Sequence, residues 1–310
     1  MFKYSLDNKR YHTLNYYLKN RFHEKVYKVS LNAGFTCPNI DGTKGYGGCI
    51  YCSKTGSGEF GGNINDDLIT QFNKVKEVMD KKWHGKYIAY FQARSNTYAP
   101  VNILKERYET VLKLDNVIGL FIATRCDCIT DECLDYLTLL NKRTYLTIEL
   151  GLQTIHENTS KLINRGHTLK EFTDTVKRLR ERNIDVVVHI INGLPYETKE
   201  MMLETVKFVN SLDIQGIKIH MLNIIKDTPL ETLYNKEHFH VLTKEEYIDI
   251  VISELELLDS KIVIHRITAD PDPKTLIEPT WLLKKTVLLN DIDKEMKRRN
   301  TYQGIKTEKE

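Results

Sequence analysis

Six short runs rich in β-branched and aromatic residues recur between residues 26 and 222, each followed by a stretch of helical character, and this alternation limits the possible folds more than any other feature. The runs are Val26–Leu31, Lys86–Gln92, Val117–Thr124, Thr144–Gly151, Ile184–Gly193 and Ile214–Leu222. Helices are expected over Asp66–Lys82, from about Val101, and over Asp131–Asn141, Leu169–Arg182 and Thr198–Leu212. Strands separated by helices call for a parallel sheet of βα units. Six units predict an α/β fold, an open partial (β/α)6 barrel, whose functional residues should collect where the strands end.

Polar residues do fall at those ends. Gln92 ends the second run, Arg125 and Asp127 follow the third, Glu149 closes the fourth with Gln153 just beyond, and His189 lies on the fifth. Any one of them reads equally well as a satisfied edge polar group. Four strands ending in polar residues on one side are hard to explain as packing, and they predict a binding cavity.

The loop after the first run is CPNIDGTKGYGGCIYC, with Cys37, Cys49 and Cys52 and with Tyr51 between the last two. Thiolates two residues apart can converge on a soft metal centre. No fourth Cys or His stands at zinc-ligand spacing, and a structural zinc site normally fills four positions. Three thiolates on an iron–sulfur cube would leave one iron open. Spacing alone is equally compatible with an incomplete zinc knuckle or with half-buried free thiols. Gly42, Gly45, Gly47 and Gly48 predict a loop mobile enough to wrap a cofactor.

With 310 residues, 41% of them hydrophobic, the chain can build a sizeable core without disulfide staples. Six cysteines fit a reducing, cytoplasmic location, and no apolar run suggests export or membrane insertion. Residues 1–25 form a basic arm. Through residue 28 there are seven Lys and Arg against Asp7 and Glu24, interleaved with Phe2, Tyr4, Tyr11, Tyr16, Tyr17 and Phe22. Such a mixture suits folded RNA. The spacing of Tyr11, Leu14, Leu18 and Phe22 also predicts a capping helix.

Residues 26–222 then form the barrel and 223–310 a C-terminal extension packed on it. In the extension a strand is expected over Ile262–Ile264 and a long helix from about Pro279. His265, Arg266, Lys284, Lys285, Arg298 and Arg299 are its candidate substrate contacts, and the lysines and arginines near the helix would line a phosphate-binding face. The alternative is a solvated amphipathic face.

The cysteine loop, with ELGLQT and INRGHT downstream, resembles the radical S-adenosylmethionine (SAM) superfamily, and within it the branch related to the catalytic subunit of Elongator. The superfamily's usual C-x3-C-x2-C is here C-x11-C-x2-C, as in that branch. TRCD resembles the family's third-strand TRPD, with Cys126 for proline, and HIINGLP resembles the fifth-strand motif beside the adenine. FQARSNTYAP stands where the usual GGE would hold the SAM amine. TYAP-like and TYQG-like segments point to a small single-domain bacterial family. The resemblance implies a [4Fe–4S] cluster on Cys37, Cys49 and Cys52, and SAM held by Tyr51, Gln92, Arg125, Asp127, Glu149, Gln153, Arg165 and His189. Gln153 would lie near the ribose and Arg165 on the carboxylate. It further implies reductive cleavage of SAM to a 5′-deoxyadenosyl radical, with an electron donor such as flavodoxin or ferredoxin.

Elongator's catalytic subunit modifies the wobble uridine of tRNA with the help of an acetyltransferase domain that has no counterpart in these residues. The resemblance therefore implies radical remodelling of a uridine C5 side chain in tRNA, in one version from carboxymethylaminomethyl toward aminomethyl. The alternatives are a radical enzyme acting on a small metabolite or tetrapyrrole, and a non-catalytic iron–sulfur RNA-binding protein. Oligomeric state is not legible.

Overall fold

The computed structural model describes Phe2 and residues 8–56, 61–81 and 85–307. Seven parallel strands form one sheet, in the order β1 (Val26–Leu31), β2 (Lys86–Phe91), β3 (Val117–Thr124), β4 (Tyr145–Gln153), β5 (Asp185–Asn192), β6 (Gly216–Met221) and β8 (Val263–Arg266). Each of the six expected runs is a strand. The seventh comes from the tail: β8 pairs with β6 from Gly216 opposite Val263 to Lys218 opposite Arg266, so the C-terminal extension completes the partial barrel as well as packing on it.

Helices α2 (Leu68–Asp80), α3 (Val101–Leu112), α4 (Asp131–Asn141), α6 (Leu169–Arg180) and α7 (Lys199–Asn210) link successive strands, with the short α5 (Glu157–Leu162) ahead of α6. Their starts are written locally. Asp67, Thr130, Thr168 and Thr198 cap four of them by accepting a backbone N–H in the first turn, and Thr168 with Glu171 forms a full capping box. The Asp66–Lys82 helix is thus shorter than expected, and Lys82 lies outside the described residues. Between β6 and β8 the chain inserts a two-residue strand β7 (Ile224–Ile225) and helices α8 (Pro229–Glu237) and α9 (Lys244–Leu257). After β8, the strand β9 (Leu276–Glu278) pairs antiparallel with β7. The helix expected from Pro279 begins as a 3-10 turn, Thr280–Lys284, and becomes α10 only at Lys285–Arg298.

The main core lies between the sheet and its helices, and a second, smaller core lies inside the barrel. There the helix of the N-terminal arm, α1 (Leu14–Phe22), brings Leu18 against Val26, Ile88 and Phe121. Phe22 packs 5.5 Å from Tyr145, the first residue of β4, and the Arg21 guanidinium lies 4.4 Å above the same ring. Beside α1, Ile264 donates its N–H to the carbonyl of His12, and Gln303 ties the arm down by accepting from His12 N–H and donating to Asp259 and Ile262 carbonyls. The arm is therefore a plug at the N-terminal ends of the strands. Its charges are partly spent internally: Lys9 pairs with Asp293, and Arg10 donates to the carbonyl of Thr301. Lys3 and Asp7 lie outside the described residues.

Candidate active site

One cavity, of about 280 Å³, opens at the C-terminal ends of the strands. Cys37, Cys49 and Cys52 lie on its rim, and Tyr51, Gln92, Arg125, Glu149, Gln153, Arg165, His189 and Arg266 line it.

The cysteine loop is pinned rather than mobile, because its backbone is bonded from several sides. Gly48 N–H donates to the Asn39 carbonyl, Ile50 N–H to Ile163, and Leu230 N–H of α8 to Ile50. The INRG segment acts as the clamp. Asn164 donates its amide to the carbonyls of Gly48 and Tyr46, and Asn39 donates back to the Asn164 carbonyl. Gly166 sits at φ +79°, and a Cβ there would stand 2.7 Å from Asn39 Oδ1, so this closure requires glycine.

Arg165 is the hub of the clamp. Its Nε donates to the His167 carbonyl, and its Nη1 donates to the carbonyls of Leu152 and Thr154 at the end of β4. Only Nη2 is left, buried and without a partner. One nitrogen is thus unengaged, and the rest hold the strand end. Arg125 joins the same unit by donating to the Arg165 carbonyl at 2.7 Å and gripping Asp127 through Nε and Nη2, both at 2.9 Å. Lys44 of the cysteine loop is 3.0 Å from Asp127. Burial would raise the Asp127 carboxyl, but the bonded Arg125 outweighs it and holds the group below its ordinary range.

Gln153 owes its position to a β-bulge between Gly151 and Gln153, where β4 slips register against β5. Its φ is +68°, a strained value for a non-glycine residue, and its amide lies over Gly151, where a Cβ would come within 2.7 Å of Nε2. The bulge turns the side chain toward the cavity.

Deeper in, at mid-strand, Glu149 is buried and accepts from Lys218 Nζ at 2.5 Å and from His189 Nε2 at 2.9 Å. Lys218 also donates to Tyr90 Oη at 2.8 Å. Burial would raise the Glu149 carboxyl, but Lys218 and His189 outweigh it and keep it well below its ordinary range. Burial brings the Lys218 ammonium down to about 7, against the pull of Glu149 and with help from the positive charges of Lys28 and Arg266. Lys28, Tyr90, Lys218 and His220 were not foreseen. In GIKIHM the polar residues at every second position carry the signal of an inward-facing ionisable row.

Against known proteins, the model of the radical SAM superfamily matches residues 43–209, and that of the radical SAM C-terminal domain matches residues 214–298. The chain belongs to the radical SAM superfamily. Protein YtqA of Bacillus subtilis is 51% identical over 98% of this chain and 94% of its own length. Elongator complex protein 3 of Saccharomyces cerevisiae is 27% identical over 51% of this chain but only 28% of its own, so the kinship covers part of that protein. The archaeal Methanocaldococcus infernus Elp3 superposes with a TM-score of 0.68 at 17% identity, over 90% of this chain and 64% of that one, and shares the fold.

As a radical SAM protein the chain uses a [4Fe–4S] cluster and SAM, and its cysteines divide accordingly. Cys37, Cys49 and Cys52 are half-buried free thiols on the cavity rim, while Cys126, Cys128 and Cys133 are buried away from it. Cys49 is drawn down to about 7, first by its hydrogen bond with Cys52 and, against burial, by Arg125; burial instead pushes Cys126 and Cys133 up to about 12. Among the described residues no three His, Cys, Asp or Glu side chains close around a single ion. A cube spreads its thiolates over separate irons, and three rim cysteines supply that donor set.

The candidate substrate contacts separate in space. Arg266 lines the cavity, the His265 ring lies 3.9 Å from Glu149, and Lys285 pairs with Asp270 on the cavity wall. Lys284 is exposed at the start of α10. Arg298 and Arg299 are at the other end of that 14-residue helix, about 20 Å away at 1.5 Å per residue. There they are committed to Glu295 and, for Arg299, Asp249. The described part of the basic arm packs at the N-terminal ends of the strands, opposite the cavity. No helix among the described residues is long and apolar enough to cross a membrane.

Proposed function

We propose that this radical SAM enzyme remodels the C5 side chain of the wobble uridine in tRNA, taking a carboxymethylaminomethyl group toward the aminomethyl form. The observation that carries the reading is the continuity of the cavity: it runs from the three-cysteine rim inward to Glu149, Lys218 and Arg266. A base side chain reaching past the rim would end among ionisable groups. The partial kinship with Elongator complex protein 3 supports a tRNA substrate.

The cluster and SAM together supply hydrogen-atom abstraction from an unactivated carbon. The protein's own share is placement. Cys37, Cys49 and Cys52 would hold the cluster, and the Asn164–Arg165 clamp fixes their loop to the end of β4. Gln153, on its bulge, would bond the SAM ribose, and Arg165 Nη2 is the donor left for its carboxylate. Tyr51, Gln92, Arg125 and His189 would complete the cofactor wall. Lys284, exposed at the start of α10, and Lys285, paired with Asp270 of the cavity lining, would contact the tRNA backbone, and a flavodoxin or ferredoxin would deliver the electron.

Mass spectrometry of tRNA nucleosides from a deletion strain tests this directly. The carboxymethylaminomethyl form should accumulate at the expense of the aminomethyl form, and the purified enzyme should yield 5′-deoxyadenosine with tRNA from that deletion strain. An unchanged nucleoside profile would refute the tRNA reading.

A further inference from the structure

The floor of the cavity holds hydrogen-bond donors that its carboxylates do not engage. Lys218 faces Glu149, while Arg266 and Lys285 share Asp270 at 2.9 and 2.7 Å. Lys28 has no ion pair among the described residues and lies over the faces of Tyr90 and Phe121, at 5.2 and 5.9 Å. Lys28 and Lys285 stand outside the cavity lining, and burial draws the Lys28 and Lys218 ammonium groups down, so Arg266 is the standing positive charge of the floor. The nearby imidazoles add none. Burial first, then the surrounding positive charge, keeps His189, His220 and His265 neutral.

His220 Nε2, in the cavity lining, is also buried without a partner. Arg266 uses only Nη2, on Asp270, and its other donors have no partner among the described residues. Unpaired buried donors cost free energy, and an anion seated there would accept from Arg266 and His220.

We propose that this floor seats a carboxylate carried by the substrate, with Arg266 and His220 as its direct donors and the Lys218–Glu149 pair fixing the charge beside them. The inference rests on the radical SAM reading of the cavity and deepens it. A carboxymethylaminomethyl side chain bears such a group and an aminomethyl one does not. A phosphodiester is a poorer occupant, because Lys218 and Glu149 project from the middle of their strands, where a side chain can reach and a sugar–phosphate backbone cannot. The SAM carboxylate is assigned elsewhere, to Arg165 at the strand ends.

The test uses cluster-loaded, SAM-saturated protein under anaerobic conditions, with calorimetric titration of N-acetylglycine, its neutral amide and inorganic phosphate. The acid should bind at least about tenfold more tightly than the amide, the ratio expected for one hydrogen bond to a charged group. Arg266→Gln should erase that preference, whereas Asp270→Asn, which frees Arg266 from its partner, should strengthen it. Opposite responses from neighbouring positions cannot come from misfolding. The proposal is overturned if acid and amide bind alike, if phosphate binds more tightly than the acid, or if Arg266→Gln weakens SAM itself as much as the acid. If the acid site behaves as described while the tRNA nucleoside profile is unchanged, the tRNA reading fails and the carboxylate site stands.

Discussion

At the N-terminal ends of the strands the barrel interior is closed by α1, with Leu18 against Val26, Ile88 and Phe121 and with Phe22 on Tyr145. Further along the same β4 strand, Glu149 lies among Lys218, His189 and Tyr90. One end buries apolar surface and stabilises the fold. The other desolvates charge, which costs stability unless every partner is in place. A chain selected only to fold would be expected to continue the apolar layer upward, so the change within one strand marks where the interior turns from packing to chemistry.

The largest effect should come from breaking the charged layer. Lys218→Met leaves Glu149 buried and unpaired on that side, a loss of about 3–5 kcal/mol. Denaturant unfolding checks it, and pairing the change with Glu149→Gln should recover much of the loss. At the apolar end, Leu18→Ala should cost about 2–4 kcal/mol, the range for a core leucine, while SAM affinity is retained. Impaired SAM binding there would erase the distinction between the two ends. Gln303→Ala, which unties the arm from the β8 side, should cost about 1–3 kcal/mol through unpaired buried groups.

A smaller and graded effect concerns pH. His167 and His189 are both lowered by burial from 6.5 to about 4 in the fold. Unfolding lets them take up protons once pH falls below about 6.5, so stability should decline from there toward pH 4. His189→Gln should flatten that slope, as read from melting temperatures across the interval.

The barrel was legible in the sequence because each strand announces itself locally, by β-branched runs ending where polar residues begin. Val117–Thr124 and Asp131–Asn141 fall where the pattern places them. The seventh strand was not legible as a sheet member: VIHR is four residues long and is separated from β6 by α8 and α9, so only tertiary pairing assigns it. The site divides in the same way. The three cysteines stand close in sequence, whereas the clamp of Asn164 and Arg165 on the cysteine loop joins residues more than a hundred positions apart. The position of the arm was not legible for a related reason, since charge and aromatic content describe its composition and not which end of the barrel it plugs.

The central claim is that the rim thiols, and not the buried ones, hold a cluster with an iron open to SAM. Mössbauer and EPR spectra of anaerobically reconstituted protein, with and without SAM, test it most directly. The account predicts one [4Fe–4S] cluster whose reduced spectrum changes on adding SAM, lost in Cys49→Ala and kept in Cys128→Ala. Stoichiometric tetrahedral zinc in protein purified without oxygen, or a cluster that survives Cys49→Ala, would contradict it.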